Sequence, residues 1–290
     1  MTFLQAYFLI TLKMNFLKSK RKVSLVLGGG GARGLVHIGI IRTLEEKGYQ
    51  IEEVVGCSIG ALIGAAYVEE KLSPLEEWMK TLTKRQVFKL LDFSNPLYGF
   101  LKGEKIFETL RDVFPDNNIE DMRIPFRAIA TDLRSEKEIV FEKGSIYEAI
   151  RASIAIPAVF TSIQTDDLNL VDGGVINPLP INFVQRGRRN IVIAVNLDGK
   201  PDLKFGPLPI ENNKYSISLL QEAFFVMRRR LAQLSIDLYK PDIVINVPHN
   251  IASIWDYANS TFLIEKGIEL ANQNIPDIAI KKKGRVKKCP

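Results

Sequence analysis

Residues 23–60 read VSLVLGGGGARGLVHIGIIRTLEEKGYQIEEVVGCSIG, and the reading of this stretch decides the fold. Val23 to Leu27 is a short apolar run, rich in β-branched residues, that predicts a buried strand. Gly28 to Gly31 break it. Ala32 to Lys47 follows as a helix with Leu35, Ile38, Ile41 and Leu44 on one stripe, and Gly48 ends it. Ile51 to Val55 predicts a second strand, and Gly56 to Gly60 turn it sharply into a helix over Ala61 to Glu70. Strand, helix, strand and helix in so short a span predict parallel strands in an α/β sheet flanked by helices.

The rest of the chain continues the alternation. Strand-like runs return at Phe126 to Ala130, Glu138 to Phe141, Leu168 to Val171, Ile191 to Asn196 and Ile243 to Val247. Helices fit Ser145 to Ser153, Ile181 to Arg186, Ser216 to Tyr239 and Trp255 to Asn274, and Lys200 to Asn213 reads as loop. Leu72 to Val113 is mostly helical but carries Phe88, Leu90, Leu91, Phe93, Leu97, Tyr98, Phe100 and Leu101, which read either as core or as the lid or wall of an acyl-binding site. One domain over residues 23–278 is expected. Residues 1–22 read as an N-terminal extension or interfacial anchor, because Phe3 to Leu12 is apolar but too short to span a bilayer. Met14 is an alternative start, and residues 279–290 form a basic tail read as disordered.

Of the 290 residues, 46% are hydrophobic and 25% charged, which suits a folded domain with a sizeable core. Cys57 and Cys289 are too few and too far apart for a disulfide or metal framework. They fit a reducing compartment, and a cytoplasmic location with membrane association is the expectation. The net charge of +6 is gathered at Lys18 to Lys22, at Arg228 to Arg230 and in the tail. These runs read as solvated ends or as attraction to anionic lipid headgroups. No nucleic-acid motif accompanies them.

Three motifs carry chemistry. Gly29-Gly30-Gly31-Ala32-Arg33-Gly34 lies between a strand and a helix, where glycine N–H groups can face a phosphate or a developing oxyanion. Gly29, Gly31 and Gly34 also satisfy G-x-G-x-x-G. A dinucleotide site, however, wants an acid at the end of the second strand, and Glu52 and Glu53 stand at its beginning. Gly56-Cys57-Ser58-Ile59-Gly60 is G-x-S-x-G on a strand-to-helix turn, the setting of a nucleophile elbow. The bland alternative is Ser58 as a helix N-cap. Asp172-Gly173-Gly174 follows a predicted strand, so Asp172 stands at a strand's carboxyl end. Alone it would read as an Asp-Gly turn.

In this order, with Arg151-Ala152-Ser153, Ile156-Pro157 and Val175-Ile176-Asn177-Pro178-Leu179-Pro180, the motifs resemble those of the patatin-like phospholipase family over about residues 23–250. The resemblance implies a three-layer α/β architecture and an acyl-ester hydrolase acting on lipids without cofactor or metal. It implies Ser58 as nucleophile, Asp172 as the base that takes its proton, and N–H groups at Gly29, Gly30 and Gly31 as an oxyanion hole. Arg33 and Gly34 would support that loop or meet substrate, and Gly56, Gly60, Gly173 and Gly174 complete the motifs. A carboxylate of ordinary pKa, about 3.9, is a poor base for serine, so Asp172 requires a perturbing environment.

Alternatives stay open. Chain order allows a Ser58-Asp172-His249 triad, while His37 reads as structural. A lipid-binding protein with little turnover and an acyltransferase fit the same motifs.

Overall fold

The computed structural model describes residues 21–90, 103–157, 159–185, 190–206 and 216–277. Residues 1–20 of the N-terminal extension, Leu91 to Leu101 of the apolar middle segment, Arg186 and the basic tail with Cys289 lie outside the described residues, and Lys22 of the extension opens the first strand.

Among the described residues eight strands form one mixed sheet: β1 (Lys22–Leu27), β2 (Gln50–Cys57), β3 (Phe126–Asp132), β4 (Lys137–Phe141), β5 (Ile163–Gln164), β6 (Asn169–Asp172), β7 (Ile191–Gly199) and β8 (Ile243–Pro248). Their order is β5-β6-β3-β2-β1-β7-β8, with β4 beside β3. The five strands from β3 to β8 along this path pair in parallel, and the β4, β5 and β6 pairings are antiparallel. The main helices are α1 (Val36–Glu46), α2 (Ile59–Val68), α3 (Leu72–Thr81), α4 (Lys84–Leu90), α5 (Glu104–Arg111), α6 (Ile146–Ser153), α7 (Ser216–Tyr239) and α8 (Ser260–Asn274).

The sheet is apolar on both faces because both are covered. Val23, Leu25 and Leu27 of β1 alternate with Val26, and Ile193 and Val195 of β7 alternate with Val192 and Ala194. The first set joins the large core under α1, α2 and α8. The second packs with Leu179, Ile181 and Ala232 of α7 on the opposite face. Helix, sheet and helix thus form three layers. On the larger side α1 and α8 approach closely at Gly39 and Gly267, where any Cβ would overlap the partner helix's backbone.

Three elements differ from the sequence expectation. The helix expected from Ala32 opens with a 3-10 turn at Gly31–Leu35 before α1. Ile181 to Arg186 yields only the turn Ile181–Phe183. Val184 is extended, and the Gln185 N–H goes to the Glu53 carboxylate at 2.8 Å. The helix expected from Trp255 begins at Ser260, because residues 254–257 fold inward. There the Ile254 carbonyl accepts from the Ala32 N–H at 2.8 Å and Tyr257 N–H bonds Trp255 O at 2.9 Å. The pair Ile163–Gln164 is too short to leave a strand signature.

Candidate active site

The register of β3 assembles the site. Along one edge of β3, β2 runs parallel and ends with Cys57 opposite Ile129. On the same edge β6 runs antiparallel and ends with Asp172 opposite Ala130. Two strands running toward each other meet there, and Ser58 and Asp172 stand at the junction. Asp172-Gly173-Gly174 fits because a Cβ on Gly173 would strike the Ile129 carbonyl.

Ser58 has φ 55° and ψ −124°, a backbone conformation costly for a residue with a side chain. Its flanks permit it: a Cβ on Gly60 would overlap the Leu27 carbonyl, and one on Gly56 would press on Ala61 at 2.6 Å. The strained peptide is held by Ser153, at the end of α6. Ser58 N–H donates to Ser153 Oγ at 2.8 Å, and the Ser153 hydroxyl donates to Ile129 O at 2.6 Å. The Ser58 side chain makes no cap bond to α2, so its hydroxyl is not used as an N-cap.

Asp172 is 1% exposed. Its Oδ1 accepts the Gly174 N–H at 2.7 Å and faces Cys57 Sγ at 3.9 Å, while Oδ2 is buried without a hydrogen-bond partner. Burial pushes its pKa up. The positive charge of Arg228, the nearby Ser58 hydroxyl and the Gly174 N–H partly offset this. An acceptor oxygen left bare costs about 1–3 kcal/mol, and beside a serine hydroxyl it can take a proton. Cys57 is fully buried, and burial and then Asp172 push its thiol well up, so it stays protonated and inert.

The glycine loop is tied down from behind. Gly28 N–H bonds Val195 O at 3.1 Å, Gly29 N–H bonds Pro178 O at 3.0 Å, and Ala32 N–H bonds Ile254 O. Arg228 Nη2 donates to Gly29 O at 2.7 Å, and Arg33 Nε donates to Gly30 O at 3.1 Å. In a trans peptide the carbonyl and the following N–H point opposite ways. With the carbonyls of Gly29 and Gly30 drawn back, the N–H groups of Gly30 and Gly31 face forward. The Gly29 N–H is engaged by Pro178, which leaves two forward donors of the three expected. Gly31, at φ +59°, adopts the conformation that favours glycine, with Ile254 pressed against it.

Arg33 is buried and saturated: it also reaches Leu197 O at 3.0 Å, His249 O at 3.2 Å and Asp198 Oδ1 at 3.3 Å. It therefore supports the loop and has no free face for a substrate phosphate. A Cβ on Gly34 would overlap Ile59, so this glycine lets the loop close on α2.

His37 lies under the loop. Its Nε2 donates to Gly28 O at 2.9 Å, and burial drives its pKa down to about 4. His249 is bonded through Nδ1 to Gly199 O at 2.9 Å, and its ring makes no bond to Asp172 or Ser58. Glu53, the acid weighed for dinucleotide binding, pairs with Arg127 at 2.6 Å.

In front of Ser58 and Gly31 opens a cavity of about 100 Å³. Its walls are almost wholly apolar: Ile59, Leu62, Trp78, Met79, Leu82, Val87, Ile106, Ile154, Ile156, Phe160, Ile254 and Trp255, with Tyr257 beside them. Burial, and then the charge of Asp172, raise the Tyr257 phenol to about 12.

Sequence reasoning missed Ser153, Asp198 and Arg228. In the sequence Ser153 stands out only as part of the family-like stretch Arg151-Ala152-Ser153. Arg228 belongs to the basic run that reads as solvated charge or as attraction to anionic headgroups, yet it shares an inward stripe at i, i+4 and i+8 with Ala232 and Ile236, and that spacing is the available signal.

A patatin-like phospholipase family model matches residues 25–184. Among curated proteins, an uncharacterized NTE family protein of Mycobacterium tuberculosis is 42% identical over 181 residues, 62% of this chain and 50% of that protein. The neuropathy target esterase sws of Drosophila melanogaster is 33% identical over 187 residues, 62% of this chain and 13% of that protein. Human patatin-like phospholipase domain-containing protein 6 is 34% identical over 187 residues, 62% of this chain and 14% of that protein. The match thus spans half the length of the mycobacterial relative and a small part of the animal proteins. VipD from Legionella pneumophila has a TM-score of 0.45 at 13% identity over 88% of this chain and 67% of that one, too distant a likeness to carry an argument.

Proposed function

The chain belongs to the patatin-like phospholipase family, and on that premise we propose that it is a serine hydrolase of lipid acyl esters working through a Ser58-Asp172 dyad. The observation that carries this is the bare, buried Asp172 Oδ2 beside a serine on a strained elbow, at the floor of an apolar cavity.

Ester binding places the acyl chain among the apolar walls and the carbonyl carbon over Ser58 Oγ. Asp172 takes the hydroxyl proton as Oγ adds to the carbonyl carbon. The resulting oxyanion is met by the N–H groups of Gly30 and Gly31. Collapse expels the alcohol oxygen, which takes the proton from Asp172 and leaves an acyl-Ser58 ester. Water then repeats the sequence, giving its proton to Asp172 and releasing the acid. His249 is not needed, since its ring is committed to Gly199. No further cofactor enters these steps.

Phospholipid or lysophospholipid is the proposed substrate class. Peripheral contact with an anionic membrane is part of the proposal, supported by the half-exposed Trp255 at the cavity and the exposed Phe88 next to Val87. Among the described residues no helix is long and apolar enough to cross a membrane.

The test is a panel of short esters, lysophospholipids and diacyl phospholipids, with Ser58→Ala as control and a fluorophosphonate probe to mark the nucleophile. Turnover of acyl lipids that vanishes in Ser58→Ala, with a Ser58 adduct, is expected. An unlabelled Ser58 in folded protein would favour a lipid-binding role. Acyl transfer outrunning hydrolysis when an acceptor alcohol is added would make the protein an acyltransferase.

A further inference from the structure

Behind the glycine loop sits a buried group of charges that the hydrolytic steps above do not use. Asp198, on β7, bridges two arginines: Oδ1 pairs with Arg33 Nη2 at 3.3 Å and Oδ2 with Arg228 Nη2 at 3.1 Å. All three side chains are at most 5% exposed. Arg228 comes from α7 on the far side of the sheet. Its guanidinium donates to Gly29 O and packs so tightly on Gly174 that a Cβ there would lie 2.5 Å from Nη1. It therefore touches both the glycine loop and the turn that carries Asp172.

We propose that Arg228, held by Asp198, is a positioning residue of the hydrolytic centre: it aims the Gly30 N–H at the substrate and supplies the positive charge that keeps Asp172 ionised. The inference rests on the dyad reading. Charge balance supports it. Arg33 and Arg228 are two buried cations, and Asp198 and Asp172 are two buried anions. When Asp172 takes the Ser58 proton, its negative charge reappears on the oxyanion against the same loop. The buried group keeps its net charge through the step, so no solvent rearrangement is needed to follow it.

The groups facing Asp172 are Arg228 of α7, Cys57 and Ser58 at the end of β2, the Gly174 N–H and Tyr257. Arg33, Asp198 and Arg229 lie in the next rank around Arg228. Cys57 and Tyr257 titrate well above neutrality. Among these facing groups only Asp172 titrates on the acid side, so the displacement of the acid limb between variants reports it, while the contribution of His37 under the loop is common to all of them.

The experiment measures kcat and KM for a p-nitrophenyl ester against pH in the full chain, for wild type, Arg228→Gln, Asp198→Asn and the double variant. Ser58→Ala is the control for the dyad. Arg228→Gln is expected to move the acid limb up by about one pH unit, and Asp198→Asn to move it down. The double variant should return it toward wild type. Both single variants should lower plateau kcat about tenfold with KM little changed, because neither residue lines the cavity. A limb that stays in place, or moves the same way in both, overturns the proposal. If Arg228→Gln fails to fold, Asp198→Asn decides alone: a downward limb supports the proposal and an unmoved limb overturns it. Activity that survives in Ser58→Ala would instead overturn the dyad reading on which the proposal rests.

Discussion

The glycine loop has two sides that could hardly differ more. Behind it the charged groups are occupied: Arg33 makes four bonds and Asp198 pairs with two arginines, while His37 holds Gly28 through Nε2. In front of it Gly31 and Ser58 line an apolar cavity, and among the described residues the Gly30 and Gly31 N–H groups and the buried Asp172 Oδ2 have no hydrogen-bond partner. A polar group left bare in an apolar setting is unstable unless something else fixes it in place. The comparison teaches that the saturated side is the reason the bare side can exist. The loop is aimed before substrate arrives, because its carbonyls have nowhere else to turn.

The largest expected effect strikes the front. Ser58→Ala and Asp172→Asn should each lower kcat/KM for a p-nitrophenyl ester by at least about 10³-fold. Steady-state kinetics and intact-mass detection of the acyl adduct would read it. An Asp172→Asn enzyme that still turned over would break the dyad.

The next effect belongs to the back. His37 is neutral in the fold, with a pKa near 4 against an ordinary 6.5. In the unfolded chain it binds a proton more readily, so stability is full above pH 6.5 and is lost as pH falls from there toward 4. The loss is roughly 3 kcal/mol, about two decades in the folding equilibrium. Urea unfolding across that window should show the slope, and His37→Asn should flatten it.

Ser153 joins the two sides. Ser153→Ala removes the hydroxyl that accepts the Ser58 N–H and donates to Ile129 O, with an expected stability loss of about 1–3 kcal/mol. A drop in kcat of some tens of fold is expected as the elbow loosens. Thermal melting and kinetics together would separate the two contributions. A smaller effect is confined to the wall. Leu62→Trp fills the cavity and should lower kcat/KM for long-chain esters about tenfold while sparing the acetate. An equal loss on both would mean that the chain lies elsewhere. Smallest of all, His249→Asn should retain hydrolysis within about threefold, because its ring holds only Gly199. A large loss there would restore the triad.

The fold was legible wherever the signal is local. Glycine runs, the 3.6-residue stripe of α1 and the apolar strands placed β1, α1, β2 and α2 in order, and α7 has the expected bounds Ser216–Tyr239. Ser58 and Asp172 stand out in the sequence because backbone demands select glycine around them. The supporting groups were not. Ser153 reaches Ser58 only because α6 packs beside β3, and Asp198 meets Arg33 and Arg228 only through the pairing of β1 with β7 and the crossing of α7. Such contacts join residues far apart in the chain, and no periodicity records them. The start of α8 was misjudged for a related reason. Residues 254–257 have an apolar pattern that a helix would also show, but here it serves the cavity wall and the glycine loop.

The meeting of β2 and β6 on one edge of β3 has a consequence for how such a protein can vary. Ser58 and Asp172 are gauged by adjacent residues, Ile129 and Ala130, and not by the number of residues in the chain between them. Segments threaded between Ser58 and Asp172 are therefore free to lengthen, shorten or be exchanged, so long as β3 keeps its count and α6 keeps Ser153 and Ala155 in place. Novelty in the cavity can be drafted in those segments while the gauge stays fixed, and one residue inserted between Ile129 and Ala130 would undo what a long insertion at the β3–β4 turn leaves intact.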